Sequence, residues 1–396
     1  MRTAAVRVAF YRRASTIGLL LLVAGSGLGT GCGREPSPLH PPPAEAKVVA
    51  VREIGPLAFV PSIRARDGGY SARFGDASVW AFGDTVLATA AEDGERWRSS
   101  TWCETTDDDP SDGLKPLTEP LDASGAPAEL LPFTDDEAAF NAEHNLEALG
   151  EARQRFALWP GPIVVDPTTG EALVFYGKLL CGSGAWDFEL VGSSLARWPR
   201  PEAPLERPIL HPDAKEPTLL FLKDELVLGQ GAFVDDGWIY VYCVQTVGLT
   251  WPCLLARVRF ADAFAKDKWE FWSGPEGWVR DPSQAREVMQ AAPQVSVHFN
   301  ATLGRYLAIY GAPLENGLLL RTAPRPEGPW SAPLRFHEGL APTAPDSWNY
   351  CGLGHAELQQ DGGRLEYVTY YRPTGFLLGE MRLVEVEVEA TSGPSR

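Results

Sequence analysis

The sequence lacks Cys-x-x-Cys, His-Glu-x-x-His and any paired His–Cys cluster, which removes the usual ligand spacings for zinc. No Gly-x-Gly-x-x-Gly or phosphate-binding loop follows an expected strand, so no nucleotide cofactor is indicated, and no Gly-x-Ser-x-Gly elbow points to a serine hydrolase. Positive charge is scarce: 35 Lys and Arg stand against 52 Asp and Glu, for a net charge of −17. A surface this acidic argues against nucleic acid and anionic lipid as partners. The run at residues 16–28 is apolar but too short for a comfortable membrane span.

That run follows a basic stretch and precedes Gly29-Thr30-Gly31-Cys32, the layout of a signal peptide. The small-small-Cys ending resembles a bacterial lipobox, although Gly29 stands where Leu is usual. The expectation is export, with Cys32 lipidated and a membrane tether in the cell envelope; ordinary cleavage nearby with a spare thiol is the alternative. Residues 1–31 then form the signal peptide, 32–47 the lipidated Cys and a Pro-rich tether, 48–390 the folded region and 391–396 a tail. Five cysteines remain after Cys32, and export makes disulfides plausible. Cys243 with Cys253 is one candidate pair; Cys103, Cys181 and Cys351 are candidates to link loops.

What the chain has in quantity is turn chemistry: 39 Gly and 34 Pro spread along its length, with 13 Trp. The folded region reads as a five-fold repeat, each unit a hairpin followed by a third strand. The hairpin turns fall at 75–78, 166–170, 235–237, 301–304 and 361–363, and the second strands read VWAF, ALVFY, WIYVY, YLAIY and EYVTYY. Aromatic, apolar second strands suit the buried middle of a radially packed sheet. The spacing predicts an all-β, five-bladed β-propeller in one domain, closed by an early strand at 48–51 or 57–60. Residues 107–150 read as an acidic insertion over the face with a helical pattern near 137–149. A two-sheet sandwich is the rival fold.

Within the first unit, residues 67–85 read DGGYSARFGDASVWAFGDT. Regular pairing about the turn places Asp67 opposite about Val86 and Asp84 opposite about Gly69, so both carboxylates reach one end of one hairpin. Two carboxylates flanking a bond can serve as acid and base, or acid and nucleophile, in glycoside hydrolysis. The plain alternative is a turn aspartate and a strand-end cap. The first strands of the five units start at Asp67, Trp159, Gln230, His298 and His355, a polar-aromatic ring at one mouth of the axis. His355 is a candidate to bind substrate or orient a carboxylate, and His298 either binds or caps a turn. Trp159, Trp102 and Tyr70 are candidates to stack on sugar faces. Glu216, Asp213, Glu315 and Arg321 are further loop candidates. A calcium ion on the axis has no dense acidic loop motif behind it, and no cofactor is expected.

The hairpin string, LPFTDDEAAFNAEHN leading to ALWPGPIVV, LLARVRF with KWEFWSGPEGW, RTAPRPEGPWSAP, and GLGHAEL with LEYVTYY together resemble a bacterial family of five-bladed propellers, long of unknown function, that includes endo-D-arabinanases. The resemblance covers roughly residues 50 to 390. It implies an exported glycoside hydrolase cleaving furanosidic linkages in an arabinan-type cell-wall polysaccharide. Carried over residue by residue, the family's acidic pair falls on Asp67 and Asp84. The alternatives are a non-catalytic carbohydrate-binding propeller and a scaffolding propeller of the envelope, since this fold hosts many functions.

Overall fold

Runs of β-branched and aromatic residues broken by Gly- and Asp-containing turns fold into antiparallel hairpins, and five such hairpins each gain further strands to make five sheets among the described residues. The computed structural model describes residues 45–184 and 187–391. The expected signal peptide, Cys32, the tether as far as residue 44 and residues 392–396 lie outside the described residues.

Strand β1 (Ala46–Pro56) takes up the last two residues assigned to the tether. Blade one is β2 (Ile63–Phe74) and β3 (Ala77–Leu87), with β4 (Trp97–Arg98) and β5 (Thr101–Thr105) both pairing β3. Blade two is β6 (Arg155–Val165), β7 (Ala172–Cys181), β8 (Phe188–Trp198) and β9 (Phe221–Leu222). Blade three runs β10 (Gly231–Asp235), β11 (Trp238–Val244) and β12 (Pro252–Arg259), extended by β13 (Glu270–Trp272), β14 (Trp278–Val279) and β15 (Glu287–Gln290). Blade four is β16 (Ser296–Asn300), β17 (Arg305–Gly311), β18 (Gly317–Ala323) and β19 (Leu334–Glu338). Blade five is β20 (Tyr350–Gly354), β21 (Leu365–Gly375) and β22 (Leu378–Ala390), and β1 pairs with β22 as its outer strand. The chain's first described strand thus closes the ring against its last, which abolishes the open edge between them.

First strands β2, β6 and β10 pack in ring order, β10 against β16, and β20 against β16 and β2, so they line the axis. Middle strands lie in the cores between blades; Val79, Trp80, Ala81 and Phe82 of β3 have no exposed surface. The insertion is not a domain. Leu114 and Leu117 pack with Trp80 and Phe82, and Leu130 and Leu131 pack with Phe74, Val79 and Trp198. Its helix α1 (Asp135–His144) begins at a capping box, with the Thr134 hydroxyl accepting from the Glu137 N–H and the Glu137 carboxylate from the Thr134 N–H. That box fixes the helix two residues earlier than the expected pattern, and Asn145 ends it.

The Cys243–Cys253 pairing does not form, because Cys243 pairs with Leu254 and Cys253 with Val244. The one-residue offset turns the two thiols to opposite faces of the sheet, one into the core toward blade two and one into the core toward blade four. All five described cysteines are buried free thiols.

Candidate active site

The first hairpin differs from its expected register in a way that brings the carboxylates closer. The turn is only Gly75-Asp76, since Phe74 pairs with Ala77. Arg66 pairs with Thr85 and Gly68 with Phe82, with bulges on both sides of Gly68. Asp67 therefore lies across from Gly83 and Asp84, not from Val86. Gly68 and Gly69 make this possible with φ of +90° and +89°, and a Cβ on Gly68 would sit 2.9 Å from the Gly83 nitrogen. Gly83 in turn leaves room for Asp67, whose Oδ1 would lie 2.9 Å from a Cβ there.

Each carboxylate is partly buried and each takes a hydrogen bond from a neutral aromatic donor. The Tyr350 hydroxyl donates to Asp67 Oδ2 at 3.0 Å, and the Trp159 indole N–H donates to Asp84 Oδ1 at 2.9 Å. The Trp97 indole also favours the charged form of Asp84. Neither aspartate forms a salt bridge among the described residues. Burial and the facing Asp84 charge push Asp67 up to about 7. Burial pushes Asp84 up to about 6 against the opposing pull of the Trp159 and Trp97 donors and the Arg155 charge. Two facing carboxyls raised in this way titrate as a pair.

Below the pair, three residues along β2, Tyr70 is 8% exposed and its hydroxyl donates to the Gln230 carbonyl at 2.9 Å. Blades one and three are not neighbours in the ring, so Tyr70 reaches across the axis. It is a core strut, not a platform for sugar. Gln230 is likewise engaged within blade three, its Oε1 accepting from the Val244 N–H at 3.1 Å. Trp102 lies on β5 and packs edge-on against Trp198 at 5.0 Å, away from the axis.

The two histidines belong to a buried polar layer. His355 is 1% exposed, with Nδ1 2.6 Å from the Ser71 hydroxyl and Nε2 2.9 Å from the Thr369 hydroxyl. Burial lowers it to about 3, so the ring is neutral. It sits after β20, not at a strand start, because the first strand of blade five is Tyr350–Gly354. His298 is 6% exposed and bonded to Glu366, which also accepts from Asn300 and Gln359. Neither histidine reaches the mouth.

The other loop candidates are also structural. Glu216 accepts from Lys178 Nζ at 2.5 Å, in a buried group where Lys178 and Arg207 both hold Glu137 of the insertion helix. Asp213 is exposed, Glu315 pairs with Arg335, and Arg321 is bonded to the Tyr310 hydroxyl and the Ser331 carbonyl. Glu129 is one further buried carboxyl, pushed up to about 7 by burial, but the N–H and O–H groups of Ser99 and Ser100 all donate to it. Among the described residues no group of three or more His, Cys, Asp or Glu is placed to hold a metal.

Of the expected ring, then, Asp67 and Trp159 stand at the mouth beside Asp84. Sequence reasoning missed Tyr350, Trp97, Arg155 and Phe188. The Phe188 ring packs edge-on against Trp159 at 5.0 Å while remaining 42% exposed, and the two make an aromatic step next to Asp84. The arrangement sets two facing carboxyls beside an aromatic pair at one end of the first hairpin.

No curated protein matches this chain. In solved structures it is similar to a GH43_1 enzyme from Xanthomonas citri, at 13% identity over 84% of this chain and 89% of that one, with a TM-score of 0.46. It is similar to a GH43 beta-xylosidase/alpha-arabinofuranosidase from a compost microbial metagenome, at 12% identity over 86% and 94%, with a TM-score of 0.45. An N-acetylgalactosamine deacetylase from F. plautii is similar at 11% identity over 87% and 95%, with a TM-score of 0.47. At such identities and scores none of these transfers an activity. Residues 214–368 match the family model of a domain of unknown function, DUF4185. The chain thus carries a match to DUF4185, a family without an assigned function, on a five-bladed β-propeller.

Proposed function

We propose that this protein is an exported glycoside hydrolase that cleaves furanosidic linkages in an arabinan-type polysaccharide, with Asp67 as general acid and Asp84 as base or nucleophile. The reading rests on one observation: two partly buried carboxyls lie across one bulged hairpin, without a salt bridge and with both titrations raised. A raised titration alone does not mark a catalytic group, since Glu129 is raised as far in a structural role; two facing carboxyls both raised toward neutrality are the arrangement that acid–base chemistry on a glycosidic bond needs. Asp67 takes the acid role because burial and the facing charge both favour its protonated form, whereas two indoles and a nearby guanidinium favour ionised Asp84. The Trp159–Phe188 step offers a surface for the C–H face of a furanose ring. The arabinan substrate comes from the sequence resemblance, and the envelope location, with lipid attachment at Cys32, from the N-terminal sequence pattern.

The test is product release by the purified full-length chain from D-arabinan, L-arabinan, arabinogalactan and levan. Oligosaccharides from D-arabinan alone are expected. A folded protein that releases nothing from any of the four would remove the hydrolase reading for arabinan-type polymers.

A further inference from the structure

In a mouth built on two acids, one cation stands out. Arg155 begins β6 and lies four residues before Trp159, on the same face of the strand. Its guanidinium stacks on the Trp97 ring at 4.0 Å. Trp97 pairs with Val86, two residues from Asp84 on β3, and so shares the face from which Asp84 projects. Trp97 and Trp159 flank one small core with Ala157, Leu179 and Cys181. Among the described residues the Arg155 side chain makes no hydrogen bond or salt bridge, and its Nε is buried without a partner. Other buried or half-buried arginines have side-chain partners, among them Arg66 with Glu119, Arg207 with Glu137 and Arg257 with Glu270, although Arg66 and Arg207 also leave Nε without one. A stacked, half-buried guanidinium left unpaired near a carboxylate is poorly explained as a stability device, because burying its donors unsatisfied works against folding.

We propose that Arg155 is a positioning residue for Asp84: braced against the Trp97 ring, its guanidinium supplies the positive charge that favours the Asp84 carboxylate beside Asp67. The reading rests on the site proposed above. The other titratable groups that feel the Asp84 charge are Asp67 on β2, Cys181 on β7 and Tyr371 on β21. Burial raises both Cys181 and Tyr371, so they are neutral through the working range, and Asp67 opposes ionisation of Asp84. Arg155 is the cation acting on it among the described residues. Stacking without an ion pair keeps that charge available: a direct salt bridge to Asp84 would occupy the oxygens the reaction uses, whereas a guanidinium held on an indole acts through space.

The experiment is a carboxylate titration of the full-length chain labelled with [4-13C]aspartate, the Asp84 resonance being identified by its loss in Asp84→Asn. Arg155→Gln is expected to raise the Asp84 midpoint by about one pH unit, and Arg155→Lys by less than about half of that. Arg155→Met, which keeps the aliphatic stem on Trp97, is the second uncharged variant should the glutamine disturb the fold. An unmoved midpoint in a folded uncharged variant overturns the proposal, as does a lysine variant that shifts as far as the glutamine. The titration needs no turnover, so it separates this inference from the hydrolase reading. A moved midpoint in a chain inactive on every polysaccharide refutes only the latter. Turnover with an unmoved midpoint refutes only the former. In an active chain the acidic limb of the pH profile moves with the midpoint.

Discussion

At the scale of single residues, the pair at the mouth makes opposite demands on stability and on chemistry. Asp67 has its folded-state titration raised far above the ordinary carboxyl value. Below about pH 4 it is protonated folded or unfolded and contributes nothing. Between about pH 4 and 7 the unfolded chain ionises while the folded chain keeps its proton, so stability falls as pH rises. Asp67→Asn is therefore expected to match the unmodified chain at pH 4 and to exceed it at pH 8, on the order of 2 kcal/mol, in urea melts at the two pH values. Equal melts at pH 8 would show that the carboxyl is not held against its preference. Tyr350 tunes the same group. Its hydroxyl favours the charged form of Asp67, so Tyr350→Phe should move the basic limb of activity to higher pH, by less than about one unit. A basic limb that stays put or moves down would separate Tyr350 from the acid. The two acids were legible in the sequence because Asp-Gly-Gly and Phe-Gly-Asp-Thr flank one short turn. Tyr350 was not. The strand it opens, Tyr-Cys-Gly-Leu-Gly, is short and glycine-rich, and its weak strand character moved the expected start to His355.

At the scale of the element, the hairpin of β2 and β3 is held in its bulged form from below. Arg66, next to Asp67, lies between the Phe59 and Phe82 rings at 3.8 and 3.7 Å and forms a two-pronged pair with Glu119 of the insertion. Both side chains are wholly buried. Glu119→Ala leaves the guanidinium buried without its counter-charge, and a loss of about 3–5 kcal/mol is expected in urea unfolding. A loss under about 1 kcal/mol would mean that Arg66 finds water or another acceptor. Nothing in the local pattern announces this pair, since the two residues lie in different elements and each reads as a surface charge. The bulge was hidden for a related reason. A regular register is the simplest one to draw, and the two glycines that break it also read as a plain turn.

At the scale of the whole molecule, the propeller was readable because each blade repeats the same chemistry: a turn rich in Gly and Asp, then an aromatic strand buried on both faces. The face of each side chain was not readable, because a one-residue change in pairing reverses it. Cys243 and Cys253 show this directly. Adjacent in the sheet, they point into different cores, so thiol labelling of the denatured, unreduced chain should modify Cys103, Cys181, Cys243, Cys253 and Cys351 alike. Protection of Cys243 and Cys253 together would contradict the register of β11 and β12. The expected polar ring failed for the same kind of reason. His298 and His355 are held in buried hydrogen bonds to Glu366, Ser71 and Thr369, whereas the Trp159 indole donates to Asp84.

The most direct measurement is the turnover of D-arabinan near neutral pH by the full-length chain beside Asp67→Asn and Asp84→Asn, with the thermal melt of each recorded in the same buffer. Each substitution is expected to lower kcat by about 10²–10⁴-fold, with melts equal to or above that of the unmodified chain. Full turnover in either folded variant would contradict the account and return both aspartates to the role of hairpin residues.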